Sequence, residues 1–507
     1  MSSSLPSFVD TLILGGGTSG AVVAARIAET TGESVLVAEA GPDYGALREG
    51  RWPADLVDAS ALAATHDWGY SSASTYADRA VPFQRARVIG GCSSHNGCAA
   101  IWGHRLDYDA WAAAGNEGWS TDDLLPYFVE ATNRMRVHHP LDYEATPFQQ
   151  ACLDAASMFG VPRAGNLNDL DDPVGMALSP VNIVNGQRWN SAFAYLDPIR
   201  DRPNLTVVGN HLADRLLLES SKVVGARLIG PNGPVEVRAT RTIVSGGAYG
   251  SPAILLRSGI GNPNELRSVG VTSTHELLGV GKNLHDHPSA TLEFAGTETL
   301  RAMMTEHRRS NWSPEEQAIA KLRSSRCEDD AFDLHLYPVG GPYAPAPHGW
   351  RFAFPVACMT PKLRGEVRLT GIDPEAALAI DHRYLNDFDG HDAAVLVDGI
   401  EIAKEITRQN PLAALLGEEL APFAGVSKAD LEARIRSVVE HYYHPVGTCK
   451  MGPSADPDSV VDNSGAIHGL EGVYVADCSI MPVVPRANTN IPAIVVGERI
   501  ASFLIGD

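Results

Sequence analysis

The residues from Gly15 to Gly20, Gly-Gly-Gly-Thr-Ser-Gly, have the types and spacing that cradle a pyrophosphate. They follow an apolar run, Val9 to Leu14, that reads as a buried strand, and they open AVVAARIAE, which reads as a helix. In a G-x-G-x-x-G turn Gly15 permits the tight bend, Gly17 lets the backbone approach the phosphates, and Gly20 lets helix and strand pack closely. Thr18 and Ser19 lie between them, at the helix N-terminus whose free amides receive the phosphates. The next apolar run, SVLVAEAG, ends in Glu39, an acid placed to accept hydrogen bonds from an adenosine ribose. The alternative is a structural glycine-rich turn, but strand, turn, helix, strand and acid are all present. A second glycine pair, Gly90 and Gly91, stands in a loop of small residues with His95, Asn96 and Gly97. Such a loop offers backbone amides to the edge of a large planar cofactor. Near the C-terminus His444 precedes Pro445 after the helical-looking SVVEHYY, so the spacing predicts a forced helix end with an imidazole projecting into a crevice. An imidazole there can move a proton near neutral pH.

The elements that position these residues fall into two groups. Segments 1–150, roughly 190–290 and 440–507 carry the glycine-rich motifs, and form the expected dinucleotide domain. Segments 151–189 and 291–439 differ in character and form a second, substrate domain, with strands expected over 332–339, 352–360 and 366–370 and a helix over 391–409. The loop around 342–347, in GGPYAPAPHGW, is expected at the surface over the site. A nicotinamide site predicts that strands and helices keep alternating after the first unit; the stretch from Arg51 to Arg85 shows no such rhythm.

The chain has 507 residues, with 40 Lys and Arg against 61 Asp and Glu, a net charge of −21. That balance argues against nucleic acid as a partner, because phosphate binding needs a basic face. There is no apolar run long enough to span a membrane and no secretory leader is recognisable at the N-terminus. The seven cysteines form no paired C-x-x-C clusters, which predicts neither a disulfide framework nor a metal site and suits a reducing cytoplasm.

Residues 86–102 resemble the flavin-binding loop of the glucose–methanol–choline (GMC) oxidoreductases, and GGCSSHN is closest to the choline oxidases. The resemblance continues through TIVSGGAYGSPAILLRSGIG, GVGKNLHDHP, GEVRLTG, AIDHRYLND, YYHPVGTCKMG and VYVADCSIMPVVPRANTNIPAIVVGERIA, in the family's order. It implies a Rossmann-like α/β FAD-binding domain joined to an α+β substrate domain on an antiparallel sheet, with one FAD per chain. It also implies that His444 is the catalytic base and that Asn488 supports the substrate oxygen, although N-T-N is good turn chemistry too. Arg87, Gly90, Gly91, Asn96 and Gly97 carry over as contacts of the flavin ring. Ala213 carries over as a backbone contact of adenine, and Asp477 as a contact of the ribityl or pyrophosphate region or a helix N-cap. His95 matches the histidine that joins FAD covalently in the choline oxidases; an unlinked ring packed on the flavin is the alternative. His441 reads as a surface or supporting residue.

Where choline oxidases place a glutamate after the HDHP-like motif this chain has Ser289, and Tyr337 aligns with a substrate-site histidine, on one strand face with His335. A quaternary ammonium needs a carboxylate or an aromatic cage, so the expected substrate is a neutral or aromatic primary alcohol, oxidised to the aldehyde with oxygen as acceptor. The rivals are a dehydrogenase passing electrons to a quinone or carrier, and a non-redox hydroxynitrile lyase. Whether the chain is a monomer or a homodimer is left open.

Overall fold

The computed structural model describes residues 5–73, 79–171 and 174–506. Strand Phe8–Leu14 pairs in parallel with Val35–Ala38 on one side and with the second half of Gly233–Val244 on the other. Leu205–Val208 extends this stack beyond Val35–Ala38, and Val473–Val475 joins Gly233–Val244 in parallel. Such strands are covered on both faces, which is why they read as continuous apolar runs; Leu12, Ile13 and Leu14 are fully buried. The first half of Gly233–Val244 turns into an antiparallel meander with Lys222–Gly230 and Leu212–Glu219. The result is a seven-stranded mixed sheet.

Helix Thr18–Thr30 rises from the glycine turn and packs against the C-terminal helix Asn490–Ile505. Gly497 lets them approach: a Cβ there would stand 2.9 Å from Val22 Cβ. Asn488 and Thr489, just ahead of the last helix, thereby come to line the same cavity as the first glycine turn.

A second core lies under a seven-stranded antiparallel sheet that runs from Leu416–Glu419 through Ser289–Gly296, Trp350–Cys358, Leu334–Leu336 and Ala318–Leu322 to Gly175–Leu178. Helices Pro147–Phe159 and His391–Thr407 pack on it. The single strand expected over 332–339 is divided. Pro338 cannot donate to the ladder, so Leu334–Leu336 and Val339–Pro342 pair separately with Trp350–Cys358.

The expected helix end at His444 is not found. Helix Leu431–Val438 stops six residues earlier, and the chain continues outside any helix, bridging Ser289 to Glu440 and His285 to Val446. Val439 leaves the helix at ψ 138° and Tyr443 has a φ of +67°, so the backbone cannot stay helical, and bridging to the segment of His285 and Ser289 overrides the helical reading. Among the described residues no helix is long and apolar enough to cross a membrane.

A Cβ on Gly20 would lie 2.0 Å from the Gly15 carbonyl oxygen, whereas one on Gly32 would meet nothing within 4 Å. Gly20→Ala is expected to destabilise the fold by about 1–3 kcal/mol, read as a lower denaturation midpoint with less FAD retained on purification. Gly32→Ala, made in parallel, is expected to leave both unchanged.

Candidate active site

A cavity of about 1040 Å³ runs between the two cores, large against the roughly 300–1,000 Å³ of ordinary small-molecule sites. Its wall takes Gly15, Gly17, Thr18, Ser19 and Glu39 from the first unit, Gly91, His95, Asn96 and Gly97 from the second glycine loop, and Ala213 and Asp477. Ser289, Tyr337, His444 and Asn488 line it as well. Most of the residues expected from the sequence are therefore brought together in one space.

The glycine turn is knitted into its surroundings. Glu39 accepts the Gly16 amide (2.9 Å) and the Gly41 amide (2.7 Å), one on each carboxylate oxygen, and keeps lone pairs facing the cavity. Burial raises its pKa. The Ser93 amide donates to Thr18 Oγ1 at 3.2 Å, and Ser19 Oγ donates to the Ala493 carbonyl at 2.7 Å. Gly17 and Gly91 face each other so closely that a Cβ on Gly91 would stand 2.7 Å from Gly17 Cα. Gly20 and Gly90 lie behind the wall; Gly90, at φ +82°, donates its amide to the Gly16 carbonyl and accepts from Ser93 Oγ. Two bare backbones with amides at a helix N-terminus form a cradle that a dinucleotide fits.

Asp477 caps the short turn Cys478–Ile480 by accepting the Ser479 amide at 2.7 Å, and its other oxygen accepts the Gly247 amide and Ser251 Oγ at 2.8 and 2.5 Å. Ala213 gives its carbonyl to Arg257 Nη2 at 3.0 Å. Asn96 is pinned through its carbonyl by Arg188 Nε at 2.7 Å; Arg188 is wholly buried and donates also to the carbonyls of Asp55, Leu56 and Ala61. His95 donates from Nε2 to the Thr65 carbonyl, and burial lowers its pKa, so the ring is neutral.

Two expected contacts lie elsewhere. Arg87 does not line the cavity: its guanidinium makes a two-pronged ion pair with Glu375 at 3.0 and 2.7 Å and stacks 4.4 Å from the Trp68 ring centre. A long side chain at the loop rim reaches the nearest carboxylate, and spacing along the chain does not reveal that carboxylate. His335 is fully buried against Phe332, with ring centres 5.5 Å apart, and Tyr442 lies between it and the His444 ring. The divided strand leaves Tyr337, but not His335, on the cavity wall. Ser289 reaches the wall, but its hydroxyl donates to the His441 carbonyl at 3.0 Å, which ties two chain segments together.

The reactive end holds two imidazoles, of His444 and His287, whose Nδ1 atoms are 2.9 Å apart. Asp286 accepts the His444 amide at 3.0 Å, and burial pushes its carboxyl up to about 7. Burial, then the neighbouring His287 and Arg85, holds His444 well below the usual histidine range; burial brings His287 to about 3. Two neutral rings at this distance share one proton, so one Nδ1 donates and the other accepts. Asn488 Oδ1, also at the wall, is buried with no hydrogen-bond partner. His441 is not a surface residue: it is buried, lines the cavity, and meets Phe83 edge-on at 5.4 Å. Asp286 and His287 were legible in GVGKNLHDHP, although no role followed from the motif's letters. Arg85 and Glu316 carried no signal.

The GMC oxidoreductase N-terminal model matches residues 9–289 and the C-terminal model residues 361–497, and the chain belongs to this family. It is accordingly an FAD-dependent alcohol oxidoreductase. The chain is 33% identical to the oxygen-dependent choline dehydrogenase of Paraburkholderia phytofirmans, over 98% of its own length and 94% of that protein's. It is 32% identical to one from Chromohalobacter salexigens, over 98% and 95%. Among solved structures, pyridoxine 4-oxidase from Mesorbium loti superposes with a TM-score of 0.86 at 28% identity, covering 98% of this chain and 99% of that one. A fungal aryl-alcohol oxidase shares the fold, with a TM-score of 0.81 at 22% identity over 99% of both chains.

Removing the Asp477 carboxylate leaves the Gly247 and Ser479 amides and the Ser251 hydroxyl without their acceptor. Asp477→Ala is expected to cost about 1–3 kcal/mol for each donor left buried and unpaired, seen as a lower melting temperature and reduced flavin content in the purified protein.

Proposed function

We propose that this chain oxidises a primary alcohol to the aldehyde, with His444 as base, and acts as an oxidase that reduces oxygen to hydrogen peroxide. The observation that carries the reading is the buried His287–His444 pair, of which the His444 ring lines the cavity. FAD, held by the glycine cradle, Glu39 and the loop of Asn96 and Gly97, supplies the hydride acceptor at its N5. His444 takes the hydroxyl proton on Nε2. Once it does so, Nδ1 of the same ring carries a proton and donates to His287 Nδ1, so His287 holds its own proton on Nε2. The hydrogen bond fixes the ring's orientation and tautomer together. Asn488 donates its amide to the substrate oxygen, which steadies the alkoxide without titrating. Aromatic walls from Trp68, Tyr337, Tyr442 and Tyr443 support an aromatic alcohol as substrate. All seven cysteines are free thiols, in keeping with a cytoplasmic setting.

Because burial lowers the His444 pKa, the proton-accepting form persists further into acid than a free histidine, whose pKa is about 6.5. Anaerobic flavin bleaching by a benzylic alcohol, followed by stopped flow, is expected to stay level from pH 8 down through 6.5 and to fall only below that. His444→Gln is expected to slow bleaching by about 10²–10⁴-fold with FAD still bound. Bleaching unchanged in that variant would remove His444 as the base. In air, one peroxide per aldehyde identifies an oxidase; aldehyde formed only with an added quinone identifies a dehydrogenase.

We also infer that His95 holds FAD covalently. With Nε2 committed to the Thr65 carbonyl, Nδ1 would be the nitrogen to bond the 8α-methyl carbon; that carbon would lose a proton, and its two electrons would reduce the flavin ring, which oxygen would reoxidise. Acid precipitation is expected to leave the pellet yellow, and His95→Ala to leave it colourless.

A further inference from the structure

Across the cavity from the glycine cradle, the substrate wall carries a carboxylate whose position in the sequence suggests no role. Glu316 lies against the flavin loop: a Cβ added to Gly97 would come within 2.2 Å of Glu316 Oε2. The absence of a side chain at Gly97 makes room for that carboxylate in the cavity wall. Glu315 also lines the cavity, and burial, then the adjacent Glu316, pushes its carboxyl up to about 7.

Neither carboxylate has an ion-pair partner among the described residues. The nearby cations are engaged elsewhere: Arg351 Nη2 donates to Glu293 at 2.8 Å, and Arg188 gives its guanidinium to backbone carbonyls. A second, independent feature points to a ligand. Tyr442 is 7% exposed, lines the same cavity, and has a hydroxyl with no hydrogen-bond partner. A carboxylate without a cation and a phenol without a partner, both facing one apolar and aromatic space, lack a donor that also carries positive charge. Water inside so aromatic a wall would satisfy them less well than a fixed cationic donor.

We propose that Glu316 is the specificity-determining residue of this site and recognises a basic nitrogen on the alcohol, an amine or pyridine nitrogen that takes a proton. The proposal rests on the alcohol-oxidising reading and deepens it. It also replaces the expectation of a neutral substrate, which followed from Ser289 and Tyr337: the carboxylate missing at position 289 is supplied from another strand edge. Glu316 accepts the N–H of the bound cation, Tyr442 completes its polar contacts, and the surrounding rings cover its apolar body.

Binding separates this proposal from the chemistry, because benzylamine and ethylbenzene have nearly the same shape and neither is an alcohol. Perturbation of the flavin absorbance in the holoenzyme at neutral pH gives their dissociation constants. Benzylamine is expected to bind at least tenfold more tightly, and Glu316→Gln to bring the ratio close to one. Equal binding of the two by the unaltered protein overturns the proposal without recourse to any variant, as does a preference that survives in Glu316→Gln protein retaining its flavin. With alcohols, 4-(aminomethyl)benzyl alcohol is expected to exceed 4-methylbenzyl alcohol in kcat/KM by a similar factor. A tenfold binding preference with no bleaching by either alcohol would sink the oxidation reading and leave Glu316 as a cation-binding residue.

Discussion

The chemistry proposed for this molecule depends on keeping two imidazoles dry and 2.9 Å apart. His287 and His444 come from segments that are distant in sequence, and neither ring is held by its own helix. The segment from Asn283 to Ser289 is laid against the one from Glu440 to Gly447 by bridges at His285–Val446 and Ser289–Glu440. Asp286 adds a hydrogen bond to the His444 amide between those bridges. The clamp is therefore a short piece of sheet, and sheet pairing fixes side-chain direction more firmly than a loop would. Burial then makes both rings neutral. A charged pair would repel, and a solvated pair would lose its fixed tautomer.

Around this pair the polar groups divide between those that build the cavity and those that face it. Thr18, Ser19, Ser289 and Asp477 all line the cavity, yet each is spent on holding one chain segment to another. Asn488 and Tyr442 are different, for they present atoms that the protein itself does not satisfy, and Glu316 presents a carboxylate with no ion-pair partner among the described residues. A buried polar atom without a partner costs about 1–3 kcal/mol, and such groups persist where the surrounding structure over-determines them. Two separate hydrophobic cores, one under each seven-stranded sheet, supply that support.

The nucleotide half of the molecule was the more legible in sequence. Its requirements are backbone requirements: Gly15 at φ +105° and Gly90 at φ +82° adopt conformations that other residues resist, and the close approaches at Gly20 and Gly91 exclude any Cβ. Such demands are written in residue type at fixed spacing. The substrate half was read less well because its contacts depend on which long side chain reaches which partner. Arg87 turns to Glu375, far along the chain, and His335 ends beneath Tyr442 because Pro338 divides its strand. His441 looked peripheral on a helical reading and is interior where the chain has left the helix. Glu316 had no motif to announce it, because its place in the cavity wall follows from the packing of the strand edge before Ala318–Leu322 against the flavin loop.

That division has a consequence for how such a site changes. The glycine cradle and the imidazole clamp use backbone and buried side chains, so substitutions there disturb folding and cofactor retention together. Tyr442 belongs to the clamp segment, but the wall formed by Glu316 and Tyr337 is attached to the antiparallel sheet and lies outside the clamp. Its residues can alter which alcohol is held without moving the Nδ1–Nδ1 contact. A carboxylate that enters beside Gly97, rather than from position 289, is one such alteration. It puts negative charge at the substrate end while Ser289 remains free to tie its strand to His441. Base and charge recognition are then carried by different parts of the fold, and each can be tuned while the other is left intact.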